Sequence, residues 1–208
     1  MNKVRDWLPF QLIHYEVEPY KMYIENTGST AKVSFESKSC TEIPTVIQGN
    51  LPGKFFLWFA FISIFITYFT IGTFELAQFH FHWGDDNGGK GSEHTLFGKQ
   101  YDAELHFVHY NTKCGNSLGQ AIANCAGHEA LAVLGVFIDV GGDDNDAFDE
   151  IIDGLKDIQT EGTKAEIKTF DMTKLMPHDL DEFFRYNGGL TTPSCNEIVT
   201  WTVFKVGQ

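Results

Sequence analysis

Hydrophobic and polar positions alternate with a period of two along much of this 208-residue chain. Strands are predicted over Lys21–Ile24, Ala31–Glu36, Thr45–Gln48, Phe74–Trp83, Ala103–Tyr110, Ala130–Val140 and Ile198–Val206. They are β-branched or aromatic and are bounded by Gly, Asn, Asp or Pro. Helical spacing is confined to three places. "SLGQAIAN" (117–124) is short. "DAFDEIIDGLKDI" (146–158) sets Phe148, Ile151, Ile152 and Leu155 at helix spacing, behind an acidic first turn. "DLDEFFRY" (179–186) fits one or two turns. Strands therefore dominate. The expected fold is mainly β (α+β): a single domain on a large, mostly antiparallel sheet with short peripheral helices.

One stretch breaks the alternation. Residues 55–71 carry no charge and include six phenylalanines. Seventeen residues lie at the low end of what spans a bilayer. The β-type stretches on either side argue against a span, because it would set neighbouring strands of one sheet on opposite sides of a membrane. A retained intron is the competing explanation. The codons of Gly53-Lys54-Phe55 can read as a splice donor and those of Ile71-Gly72 as an acceptor, and removing 54–72 joins a turn smoothly to a strand. We therefore treat 54–72 as an apolar insert and its membrane-span signal as spurious.

Composition narrows the function classes. The formal net charge is −13, with 28 acidic against 15 basic side chains. Nucleic-acid binders need a basic patch, so that class is excluded. Cys40, Cys114, Cys125 and Cys195 contain no C-x-x-C pair, which argues against a thiolate zinc module. A Cys114–Cys125 disulfide is sterically conceivable, and the redox compartment stays open. The start, "MNKVRDWLPFQL", has no sustained apolar core or small-residue cleavage site of a signal peptide.

Candidate chemistry sits in "QFHFHWG" (78–84). On a strand, Gln78, His80 and His82 share one face, and Phe79, Phe81 and Trp83 the other. "AELHFVHYN" repeats the arrangement: Glu104, His106 and Val108 share a face, opposite Leu105, Phe107 and His109. Each first histidine follows a polar residue at i−2, near enough to accept its second ring N–H. Histidines that bind metal usually hold such a partner. Three neutral imidazoles leave a zinc ion its full charge and one open tetrahedral position. Zinc lowers the pKa of a water there to about 7, giving hydroxide at neutral pH. "GSEHT" supplies Glu93 and "GGLTTP" supplies Thr191. A Thr191 hydroxyl donating to Glu93 could only accept from that hydroxide, and so would orient it. Val108, Val133, Leu190 and Val199 are candidates for an apolar wall beside it.

The blocks "LAQFHFHWG", "GSEHT", "AELHFVHYNTK", "LAVLGVFI", "GGLTTP" and "VTWTVFK" together resemble α-class carbonic anhydrase, in the family's order, from about Pro19 to residue 208 except for 54–72. The resemblance implies a twisted sheet of about ten strands and reversible hydration of carbon dioxide to bicarbonate and a proton through zinc-bound hydroxide. It implies zinc on His80, His82 and His106, orientation of the hydroxide by Thr191 and Glu93, and Gln78 and Glu104 behind the ligands. Val108, Val133, Leu190 and Val199 match the carbon dioxide side of the pocket, with Thr192 beside the substrate. Tyr186 and His94 match buried supports. Sulfonamides and small anions are the implied inhibitors. Members without activity usually lack one or more of the zinc histidines, and all three are present here.

Three departures shape the expectations. Ser29 occupies the usual proton-shuttle histidine position in "NTGS". Serine does not titrate near neutrality, so proton release should depend on buffer. Both ends are short against the family pattern, so the chain reads as a fragment or an incomplete gene model, lacking the outer partner of His82. Cys195 stands where secreted members often carry half of a disulfide, which hints at an extracellular parent, with a cytoplasmic one as the alternative. Among the other histidines, His14, His128 and His178 are expected in solvent and His109 in a structural role. "HEAL" (128–131) lacks the second histidine of a zinc-protease motif, and "GGDDND" (141–146) reads as an acidic turn.

Overall fold

A computed structural model describes residues 11–49, 70–85, 88–141 and 144–205. In chain order the strands are β1 (Gln11–Ile13), β2 (Lys21–Asn26), β3 (Ala31–Glu36), β4 (Thr45–Gly49), β5 (Thr70–Trp83), β6 (Thr95–Leu96), β7 (Lys99–Gln100), β8 (Ala103–Asn111), β9 (Leu131–Ile138), β10 (Lys164–Ile167), β11 (Phe183–Gly188) and β12 (Val199–Phe204). Two short helices, α1 (Leu118–Asn124) and α2 (Asp149–Leu155), lie between them. Ten strands form one sheet whose main path is β10-β2-β3-β5-β8-β9-β12-β11, with β4 also on β5 and β1 on β4. β9 and β12 pair in parallel, and the other pairs described are antiparallel. The mainly β architecture read from the alternation is the observed one.

β8 and β12 bury both faces, so β8 is closed to solvent from Glu104 to Asn111. One face carries Phe74, Leu76, Phe79, Phe81, Leu105, Phe107, Leu134 and Val136 in a continuous apolar core. The other gathers Val108, Leu131, Val133, Val199, Trp201 and Val203. β5 changes step once. Leu76 pairs with His109 and Gln78 with Val108, so Ala77 is an extra residue in the ladder. Without that bulge, strict alternation would turn Phe74 and Leu76 toward the face of His80 and His82. With it, all four apolar residues of β5 share the core face and the histidines share the other.

Several boundaries differ from the sequence expectation. Residues 183–188 form β11, not the helical turns expected of "DLDEFFRY". Six consecutive residues pair with β12, and Phe183 and Arg185 are buried with the period of a strand. Pairing along a sheet edge outweighs the weak local preference for helix. The helix expected over 146–158 is α2 alone, preceded by a single 3-10 turn over Asp146–Phe148. The helix in "SLGQAIAN" is α1, with Ser117 Oγ accepting from Gln120 N at its start. Cys114 and Cys125, eleven residues apart, are disulfide-bonded and close the loop that carries α1. Of the apolar insert, residues 70–72 begin β5 and 54–69 lie outside the described residues. Among the described residues no helix is long and apolar enough to cross a membrane.

Candidate metal centre

β5 and β8 bring the three histidines together because their register places His80 directly opposite His106. The ring centroids are 5.0 Å apart for His80 and His82, 5.3 Å for His80 and His106, and 4.7 Å for His82 and His106. One ligand nitrogen from each ring lies within 4.8 Å of the others. Which nitrogen is settled by what the other one does. His80 Nδ1 donates to Gln78 Oε1 at 3.0 Å, which leaves Nε2 with its lone pair. His106 Nε2 donates to Glu104 Oε1 at 2.8 Å, which leaves Nδ1. His82 Nε2 is buried and has no hydrogen-bond partner. A buried, unpartnered imidazole nitrogen is costly unless something binds it.

Glu104 anchors a second layer. It is fully buried and also accepts from His94 Nδ1 at 2.5 Å and from the His94 backbone N–H at 2.8 Å. Tyr186 OH then donates to His94 Nε2 at 2.5 Å. Gly135 pairs with His106, and a Cβ there would stand 3.0 Å from Glu104 Oε1, so the glycine leaves the carboxylate its room. Burial pushes the Glu104 carboxyl up, but the hydrogen bonds from His106 and His94 outweigh it and hold it below the ordinary carboxylate range. Burial, then the charges of His106 and His82, push His80 down to about 3, so its imidazole is neutral. Burial is also the largest cause lowering His82. Burial, then Glu104 and Glu93, raises Tyr186 to about 12, so it stays a donor. Trp201 packs its edge on both His94 and His106, with centroids 4.8 Å away in each case.

These residues fit a zinc ion. Three imidazoles converge, two of them are oriented by Gln78 and Glu104, and the third presents a buried nitrogen without a hydrogen-bond partner. His94, Glu104 and His106 also lie close enough to share an ion, but their facing atoms already bond to one another.

A cavity of about 230 Å³ opens on His80 and His106. Gln78, Val108, Val133, Leu190, Thr191 and Thr192 line it. Val199 does not: it is fully buried behind this wall among the apolar residues of the same face. Leu118, Ile122, Leu131 and Trp201 line the cavity in addition. Leu118 and Ile122 sit four residues apart on one side of α1, a spacing visible in "SLGQAIAN". Thr191 is exposed and makes no hydrogen bond with Glu93. The Glu93 Oε2 instead lies 3.4 Å from His82 Nε2 and 3.8 Å from His106 Nδ1, drawn to the imidazoles and not to the hydroxyl.

The other histidines divide. His178 is exposed, whereas His14 and His128 are half-buried, and His128 Nδ1 reaches the Gly188 carbonyl at 3.2 Å. His109 faces the core, as its parity requires. Ser29 is exposed, its Oγ 3.3 Å from Thr27 Oγ1. Cys195 is a free, exposed thiol.

Comparison with known families agrees with the fold. The family model described as eukaryotic-type carbonic anhydrase matches residues 1–207, nearly the whole chain. The chain belongs to the eukaryotic-type carbonic anhydrase family.

Proposed function

We propose that this protein hydrates carbon dioxide reversibly to bicarbonate and a proton, using zinc held by His80 Nε2, His82 Nε2 and His106 Nδ1. The observation that carries this reading is the convergence of three imidazole nitrogens within 4.8 Å on β5 and β8. When bound, zinc acts as a Lewis acid that brings the pKa of water to about 7. The chain's own residues supply the rest. Gln78 and Glu104 fix the tautomers of His80 and His106. Val108, Val133 and Leu190, with Leu118, Ile122 and Leu131, offer an apolar wall to a small nonpolar substrate. The Thr191 and Thr192 hydroxyls at the rim orient the attacking water and the product, and Glu93 places a negative charge beside His82 and His106. With Ser29 where a titrating shuttle would stand, external buffer carries the proton away.

Deprotonated sulfonamides and small anions compete for the same open position. An oxidising compartment suits the Cys114–Cys125 disulfide. Replacing His106 with Ala should abolish both zinc retention and carbon dioxide hydration in purified protein; a variant that keeps either one refutes the assignment. Parent protein that retains zinc without hydrating carbon dioxide would instead be a binding domain built on the same site.

A further inference from the structure

The face that carries the imidazoles also carries a row of charge. Lys164 on β10 pairs with Glu25 on β2, Glu25 with Lys32 on β3, and Lys32 with His80 on β5. Ile24, Ala31 and Val33, their sequence neighbours, point into the opposite core, so Glu25 and Lys32 share the face of His80. Side chains directly opposite on paired strands have Cβ atoms about 5 Å apart. Lys32 Nζ lies 2.7 Å from Glu25 Oε2, and both side chains keep about a third of their surface in solvent, at 33% and 32%. Lys164 Nζ sits over the Tyr23 ring at 4.2 Å, on the far side of Glu25. The row Lys164–Glu25–Lys32 therefore carries two positive charges and one negative, a surplus of one cation within the row, set against the Glu93 and Glu104 carboxylates beside His82 and His106 and a chain of net charge −13.

A proposed reaction that releases an anion makes this surplus matter. Within one Debye length, about 8 Å at physiological salt, an ammonium still attracts a small anion. We propose that Lys32 determines the anion affinity of the centre: held opposite His80 by Glu25, it strengthens binding of bicarbonate and of anionic competitors. This rests on the zinc-site reading above. Glu25 acts through Lys32 as a positioning residue. It also moderates the field, so that product is attracted without being trapped.

The test uses cobalt-loaded protein, whose visible absorption reports anion binding without relying on turnover. Thiocyanate titrated into Lys32→Gln should bind about three- to tenfold more weakly than into the parent at low ionic strength. Sodium sulfate should shrink that difference. Lys32→Arg should restore parent affinity, and Glu25→Gln should tighten binding. Equal affinities for parent and Lys32→Gln at low salt, or a loss that high salt leaves unchanged, overturns the Lys32 proposal alone. Parent protein that retains no cobalt overturns the metal-centre reading and this proposal together.

Discussion

His106 and His109 stand three residues apart on β8, on opposite faces of one strand, and solvent reaches neither: they are 1% and 0% exposed. Burial does not tell them apart. Hydrogen bonding does. His109 Nδ1 donates to the Ala132 carbonyl at 3.1 Å, and its Nε2 accepts from the buried Tyr15 hydroxyl, so both nitrogens are used by protein. His106 gives one nitrogen to Glu104 and turns the other toward His80 and His82. A buried imidazole with two protein partners is a structural strut. One with a single partner and two imidazole neighbours is a ligand in waiting.

The largest test of that contrast is acidification. Burial pushes His109 down to about 4, against about 6.5 in an unfolded chain. Between those values the unfolded state binds more protons, so stability rises with pH there. The contribution of neutral His109 is complete above pH ~6.5 and is lost as pH falls through about 4, to a total of about 3 kcal/mol. Denaturant melts of parent and His109→Gln at several pH values read this directly: the parent should lose more on acidification. Parallel curves would show that His109 carries no such penalty.

Next in size is the other side of the pair. Glu104→Gln should weaken zinc binding about 10- to 100-fold, because the group that fixes His106 loses its charge. Chelator competition measures it. The smallest effect belongs to Tyr15→Phe, which leaves His109 Nε2 without its donor. A loss of about 1–2 kcal/mol in stability is expected, with zinc affinity unchanged. If Tyr15→Phe weakened zinc as much as Glu104→Gln, the division between strut and ligand would fail.

Much of the sheet and the candidate metal site was legible in the sequence because both rest on parity. Alternation in "QFHFHWG" and "AELHFVHYN" is enough to put His80, His82 and His106 on matched faces, with Gln78 and Glu104 beside them. What escaped depends on distance along the chain. β11 owes its conformation to β12, and β1 and β10 are short edge strands whose pairing partners no local pattern names. Val199 has the right parity for the pocket but lies one layer too deep, and parity carries no depth. The bond expected between Thr191 and Glu93 joins two loops, where neither spacing nor period constrains the side chains.

The extra residue at Ala77 has a consequence for how this strand tolerates change. The aim of His80 and His82 is set by an odd or even tally counted from Leu76, and the histidines' own preferences do not enter. Lengthening or shortening the chain ahead of that point leaves the imidazoles pointing where they do. Losing Ala77 would only regularise the ladder, leaving Leu76 and Gln78 as neighbours on opposite faces; pairing Ala77 into the ladder would instead send three polar side chains into oil and three aromatic ones toward the candidate metal centre. The strand holds a two-state choice of sides in one small alanine.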